Sequence, residues 1–249
     1  MRAVDTAFNY DRFAGHRVLR RVAGPLLGEF EVSTKVGYFP DGHSLDPARL
    51  NQAVAESADS LGRTPDTVLL HNPEHDPDGL ADACESLAAC VRGGLCRAWG
   101  IATWDPRPLV HAAGEVLVRP DVVMVRAGLS VSEPVLYAGE QFTTMLGADD
   151  VWGMAPFAGN PSDPVWSKVD ATVFLQPGQQ ATPVQARLAA AFALPAVSRV
   201  AVGTSCPGHL DELAAAVRLA PSMEVIGEYR ELLRAQAHGE GDLRAAHPG

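Results

Sequence analysis

The apolar positions of this chain change their period from one segment to the next. Short β-branched runs near residues 2–8, 30–37, 67–72, 97–103, 122–129, 150–157 and 198–204 have the length and composition of strands. Between them, apolar residues recur at helical spacing. In 46–61 the stripe is Leu50, Ala53, Val54, Ser57 and Leu61, with Asp46 suited to the N-cap, Pro47 to the first helical position and Gly62 to the stop. The next helix repeats the device, with Asp78 as cap, Leu80, Ala83, Cys84, Leu87 and Val91 inward, and Gly93-Gly94 at its end. Further helices are expected near 11–23, 106–117, 132–147, 183–193, 207–219 and 223–236. This alternation predicts an α/β fold of βαβ units around a parallel sheet. Two segments stand outside it. Residues 158–182, polar and Gly/Pro-rich around Trp166, exceed an ordinary loop and read as a lid or substrate wall. The tail 238–249 reads as disordered, which leaves 1–237 as one domain.

Composition supports a single large core. The chain has 249 residues, 47 % apolar and 20 % charged, with a net charge of −10. That charge, with no cluster of Lys or Arg along the chain, speaks against nucleic acid or an anionic membrane as partner. No apolar run approaches the ~20 residues that span a bilayer. Cys84, Cys90, Cys96 and Cys206 form no C-x-x-C pair, and the chain opens Met1-Arg2-Ala3-Val4-Asp5 without a secretory leader. A cytoplasmic protein with reduced thiols is expected, Cys84 being a buried one on its helix stripe. Lysine is scarce, with only Lys35 and Lys168 among 20 basic residues, so each invites a question about its position.

Parallel strands present their C-terminal ends at one rim. Asp5 lies in the first run and Tyr10 just beyond it; Lys35 is near the end of the second, and His71 ends the third. A carboxylate, a phenol, an ammonium and an imidazole on three successive strand ends suit the protonation of a carbonyl oxygen while hydride reaches its carbon. A phenol is a poor acid near neutrality unless a cation assists it. Lys35 supplies that charge, Asp5 holds Lys35 in place, and His71 orients the carbonyl oxygen. Singly, each residue has an ordinary structural role open to it: a strand-end cap, a half-buried aromatic, a core histidine.

These residues sit in Asp5-Thr6-Ala7-Phe8-Asn9-Tyr10, Thr34-Lys35-Val36-Gly37 and Leu70-His71-Asn72-Pro73. In order and separation they resemble the motifs of the aldo-keto reductases. The likeness continues through Trp99-Gly100-Ile101-Ala102-Thr103 and Gly203-Thr204-Ser205-Cys206-Pro207-Gly208-His209-Leu210-Asp211-Glu212. The resemblance implies a TIM-type (β/α) barrel, here with seven recognisable strands instead of eight. It also implies a catalytic tetrad of Asp5, Tyr10, Lys35 and His71, a small carbonyl substrate, and NADP(H) or NAD(H) as cofactor. On this resemblance Thr103, Arg126, Pro156, Phe157, Gly203, Thr204, Ser205, His209 and Glu212 fall to the cofactor.

Five departures bear on that implication. Only four residues precede Asp5, where the family carries a strand and helix. The expectation is a barrel seam covered by a partner subunit such as a second copy of the chain, or a partly open seam with a mobile N-terminus, or else a start placed too late. Ala102-Thr103 stands where the family has Ser-Asn, and Arg126 where it has Gln. Met154 replaces an aromatic that stacks on the nicotinamide. The 2′-phosphate positions Gly203, Thr204, Ser205 and His209 hold no permanent cation, so selection for NADPH over NADH should be weak. Glu212, an adenine contact in the family, is kept. Two rival readings remain: the same acid–base group used for isomerisation, dehydration or cyclisation, and a non-catalytic truncated barrel. A metal site at His71, Glu74, His75, Asp76 and Asp78 is disfavoured by Pro73, which prevents a shared helix face. His16, His43 and His111 read as solvated. Phe39, Trp104 and Trp166 are candidates for pocket walls or for core.

Overall fold

A computed structural model describes residues 2–160 and 164–246. It divides into two compact units, Met1–Val125 with Gln141–Val151, and Arg126–Glu140 with Trp152–Gly249.

The first unit alternates strands and helices as β1 (Ala3–Asp5), a one-turn segment α1 (Tyr10–Phe13), α2 (Gly15–Ala23), β2 (Glu31–Val36), a small hairpin β3 (Tyr38–Phe39) and β4 (Gly42–His43), and α3 (Pro47–Leu61). It continues with β5 (Thr67–His71), α4 (Leu80–Arg92), β6 (Ala98–Thr103), α5 (Leu109–Ala112) and β7 (Val122–Arg126), the last residue of which counts with the second unit. The large strands pair in the order β1-β2-β5-β6-β7, all parallel. Parallel strands with crossover helices bury both faces, and the strands read accordingly: Val68, Leu69 and Leu70 are all fully buried. The main core lies between sheet and helices and includes Val36, Leu50, Val54, Val68, Leu70, Leu87, Ile101, Val123 and Phe142. Gly100 lets β6 approach β7, since a Cβ there would stand 2.1 Å from the Val122 carbonyl oxygen.

In the second unit β8 (Asp150–Met154), which begins in the first unit, pairs in parallel with β9 (Arg199–Ala201) through Trp152↔Arg199, Gly153↔Val200 and Met154↔Ala201. Around them lie α7 (Pro183–Ala191), α8 (Pro207–Ala216) and α9 (Met223–Ala246), with α6 (Glu133–Leu146) divided between the units. Small cores serve this unit, among them one around Leu129, Leu136, Phe174 and Ile226, another around Ala171, Leu175, Ala186 and Ala189, and another around Leu188, Leu213 and Ala216.

All seven expected strands are present. Helix α3 matches its sequence reading residue by residue: Leu50, Ala53, Val54, Ser57 and Leu61 are buried, Asp46 accepts from the Arg49 amide at 2.9 Å, and Gly62 stops the helix at φ 70°. Elsewhere the structure corrects the reading. Gly79, not Asp78, occupies the N-cap of α4 and no side chain caps it, because Asp78 lies in a 3₁₀ turn, Pro77–Gly79. The helix expected over 11–23 begins only at Gly15, since Asp11, Arg12 and Phe13 turn left-handed. The hairpin β3–β4 was not expected, its two-residue strands being too short to show alternation. Within 158–182, the segment read as a lid or substrate wall, Ala171, Phe174 and Leu175 are buried in the second unit's cores. Residues 161–163 of this segment lie outside the described residues. Helix α9 runs on through 238–246, residues read from sequence as disordered tail, while 247–249 lie outside the described residues. Among the described residues no helix is long and apolar enough to cross a membrane.

Candidate active site

Strand register brings the four expected residues together in the first unit. Asp5 pairs with Ser33 across β1 and β2, and Lys35 lies two residues on, on the same face of β2 as Ser33. Main-chain bonds from Thr6 to Ser33 (2.9 Å) and from Phe8 to Lys35 (2.9 Å) carry the chain onward from β1 alongside β2. Lys35 is 3 % exposed, and its ammonium is ion-paired with Asp5 Oδ2. It also donates to the Thr6 carbonyl at 3.0 Å. Ser33 Oγ donates to the other Asp5 oxygen at 2.8 Å, so that the carboxylate is gripped from both sides. A buried ammonium needs such company, because an unpaired charge there would be strongly destabilising.

Tyr10 stands beside this pair. Lys35 Nζ is 5.4 Å from the centre of the phenol ring, which is 45 % exposed. The rings of Tyr10 and His71 meet edge to face with centroids 6.2 Å apart. Tyr10 is carried by α1, where Asp11, Arg12 and Phe13 have φ of 50°, 52° and 65°. Non-glycine residues rarely take this left-handed conformation, and three in succession mark a strained segment. Packing holds it: Phe13 meets Phe8 at 5.5 Å, and Phe8 meets Phe39 at 6.2 Å.

His71 closes the group. Burial, with Lys35, His43 and His75 adding repulsion, lowers its pKa to about 3. The imidazole is therefore neutral at ordinary pH and can donate from only one nitrogen. Its Nδ1 is buried without a hydrogen-bond partner among the described residues, which leaves Nε2 as the nitrogen available to a ligand.

Several side chains that the sequence reading passed over support these four. His43 Nε2 donates to the His71 carbonyl at 3.0 Å, and burial lowers its pKa. Tyr38 lies edge-on to His71 at 4.9 Å and to His43 at 5.0 Å, and accepts from Asn72 Nδ2 at 3.3 Å. His16, read as solvated, is buried at 4 % exposure and bonded through Nε2 to Thr34 Oγ1 at 2.8 Å. Its signal was available, for it falls three residues before Leu19 on the apolar side of α2. Among the described residues no group of three or more His, Cys, Asp or Glu could hold a metal.

The residues assigned to the cofactor are divided between the units. In the first, Thr103 is fully buried and its hydroxyl donates to Glu74 Oε2 at 2.8 Å. The other Glu74 oxygen receives the main-chain N–H groups of Trp104 (2.8 Å) and Asp105 (3.0 Å). In the second, Arg126 is half-buried at the end of β7, Pro156 is buried and Phe157 is half-buried. Ala155 and Ala158, on either side, have φ of 52° and 49°, a second strained turn. Gly203, Thr204, Ser205 and His209 are exposed at the turn from β9 into α8. Nothing lies within 4 Å of a Cβ built on Gly203 or Gly208. Open space over the unpaired N–H groups that begin a helix is the setting a phosphate requires. Glu212 accepts a hydrogen bond from the Thr182 hydroxyl. Of the three pocket-wall candidates, Trp104 is 43 % exposed, Phe39 packs with Phe8 under Arg49, and Trp166 packs on Arg187 at 4.6 Å.

Comparison with known proteins places this geometry. Residues 1–133 match the model of the Aldo/keto reductase family. No curated protein matches the chain. Among solved structures, the holo form of an aldo-keto reductase from Bacillus halodurans is similar at 18 % identity and a TM-score of 0.73, covering 94 % of this chain and 82 % of that one. An aldo-keto reductase from Klebsiella pneumoniae, solved with NADPH, is similar at 18 % identity and a TM-score of 0.68, covering 94 % and 80 %. A thermostable aldo-keto reductase solved with the inhibitor epalrestat gives 20 % identity and a TM-score of 0.72, covering 92 % and 81 %. These likenesses show the fold, a TIM-type α/β barrel architecture, and the match of the family model to more than half of the sequence shows the kinship. The chain belongs to the aldo/keto reductase family of oxidoreductases.

Proposed function

We propose that this protein reduces a small aldehyde or ketone with NADP(H), Tyr10 giving the proton. The observation that carries this reading is the buried Lys35, ion-paired to Asp5 and 5.4 Å from the ring of Tyr10. A fixed positive charge beside a phenol stabilises the phenolate left behind when the proton is given up. Asp5 and Ser33 keep that charge in place, while neutral His71 donates from Nε2 to the carbonyl oxygen and orients it toward Tyr10. Positioned proton transfer of this kind contributes about 10²–10⁴ in rate.

When bound, the dinucleotide supplies the hydride that reaches the carbonyl carbon. The turn at Gly203, Thr204 and Ser205, with the first amides of α8, fits its phosphates, and His209 stands beside them. Pro156, Phe157, Arg126 and Glu212 are the further residues we assign to it. Thr103 we assign a supporting part, since its hydroxyl is committed to Glu74 and the pair fixes the start of the loop bearing Trp104. The test is direct. NADPH should be consumed with a carbonyl substrate by the native protein and not by Tyr10→Phe, with cofactor binding unchanged. Near-native turnover by Tyr10→Phe would remove Tyr10 as the acid.

The burial of Thr103 favours one second reading, in which the same acid–base group serves proton transfer without hydride. A fluorescence titration in which neither NADPH nor NADH binds would select it.

A further inference from the structure

Read along the chain, the arginines form no notable cluster, but the fold makes one. Arg17, Arg20 and Arg21 fall at i, i+3 and i+4 on α2 and so share a helix face. Together with Asp59 and Ser60 at the end of α3 they line a cavity of about 540 Å³. Arg20 is held in place. Its guanidinium lies over Gly62, where an added Cβ would come within 2.6 Å of Cζ, and it donates to the Asp59 carbonyl at 3.3 Å.

What distinguishes this cavity is that three arginines are gathered in it. The chain carries a net charge of −10, and Arg49, Arg63, Arg97, Arg107, Arg119, Arg230 and Arg234 each have a carboxylate within ion-pair distance. Among the described residues, Arg17, Arg20 and Arg21 have none, although Asp59 lines the same cavity. Three guanidinium groups against one carboxylate leave an excess of positive charge facing a space large enough for a small molecule. Guanidinium forks match the oxygens of a phosphoryl group bidentately, and a phosphoryl group carries about −1.5 to −2 charges, more than a single carboxylate. The Ser60 hydroxyl adds a neutral donor. The acidity of the chain as a whole disfavours a long polyanion, so the occupant should be small.

We propose that the cavity between α2 and α3 is a binding site for a small phosphorylated anion, separate from the reaction centre. It is lined by none of the residues assigned to catalysis or to the cofactor. The same helix also touches the reaction centre, through His16 on Thr34 and through Gly15, whose Cα approaches the Tyr10 carbonyl so closely that a Cβ would stand at 3.0 Å. An occupant there therefore stiffens the helix that backs Lys35 and Tyr10.

Calorimetric titration of the full chain with inorganic pyrophosphate, at constant ionic strength, tests the site. The expected result is saturable binding with a component that weakens at least tenfold in Arg17→Gln/Arg21→Gln, each guanidinium being worth about tenfold or more. NADPH binding and the circular dichroism of the variant should be unchanged. Tricarballylate should bind more weakly than pyrophosphate. Absence of saturable binding, or equal affinity in native and variant protein, overturns the site. Equal affinity for tricarballylate overturns its assignment to phosphoryl groups. None of these outcomes depends on whether Tyr10 is the acid.

Discussion

Tyr10 and two of its neighbours, Lys35 and Gly15, each give a measurable expectation. The phenol oxygen is the only part of the side chain that can give a proton, and Tyr10→Phe removes it with almost no change in shape. We expect kcat to fall by about 10²–10⁴ with the melting temperature unmoved, as read by steady-state rates and a thermal scan. Lys35 makes a different demand. Its ammonium sits between Asp5 Oδ2 and the Thr6 carbonyl in a space that excludes water, and a planar guanidinium cannot take both bonds there. Lys35→Arg should lower kcat by about a hundredfold, and a variant with native rates would show that the compact charge is not needed. Gly15 touches the backbone of Tyr10 rather than its ring. A Cβ at Gly15 would meet the Tyr10 carbonyl oxygen at 3.0 Å and Tyr10 Cβ at 3.2 Å, so Gly15→Ala must shift the phenol by some tenths of an ångström. The expected signature is a fall in kcat with an almost unchanged affinity for NADPH.

At the scale of elements, the left-handed turn α1 is where sequence and structure part company. A helix of normal hand was expected near 11–23. The backbone instead takes φ values of 50–65° over Asp11, Arg12 and Phe13. Local propensity is overridden by packing: Phe13 meets Phe8, which in turn meets Phe39 from the distant β3, a contact that no short window of sequence contains. Left-handed conformation costs an L-residue about 1–2 kcal/mol, and glycine escapes that cost. Arg12→Gly should therefore raise the urea midpoint by an amount equivalent to about 1 kcal/mol, whereas at an ordinary helical position it would lower it by a similar amount. Helices with strong caps were legible to the residue, as α3 shows from Asp46 to Gly62. Strand starts were legible from β-branched runs. The proximity of Asp5, Tyr10, Lys35 and His71 was legible because strand ends in a parallel sheet share one rim, so linear order carries spatial information. What escaped depends on side chains meeting across elements: Ser33 on Asp5, His43 on the His71 carbonyl, and Glu74 on Thr103. In none of these does spacing along the chain specify the partner.

Folding keeps the imidazoles of His16 and His71 uncharged well below neutrality, and acid should expose the consequence. Burial lowers the pKa of His16 from 6.5 to about 4, and burial with nearby cations lowers that of His71 to about 3. Above pH 6.5 both groups are neutral in folded and unfolded chains alike, and neither makes stability depend on pH. As the pH falls through 6.5 the unfolded chain takes up protons that the folded chain refuses, so stability must decline with acidity. The decline runs to about pH 4 for His16 and continues to about pH 3 for His71. For His16 alone its full extent is on the order of 3 kcal/mol, with about 2 kcal/mol lost by pH 5. Urea unfolding at pH 7, 6 and 5 should show this loss. His16→Gln, which keeps a donor for Thr34 but has no titrating ring, should be somewhat less stable at pH 7 and distinctly less sensitive to acid. If native protein and His16→Gln lose stability in parallel, the acid sensitivity lies elsewhere and His16 is not held neutral by the fold. Because the hydrogen bond between His16 and Thr34 lies next to Lys35, proton uptake by His16 also disturbs the support behind the Lys35 ammonium. Activity lost in acid should then fall together with stability in the native protein. In His16→Gln the two should separate, with activity persisting to lower pH than the native enzyme can reach.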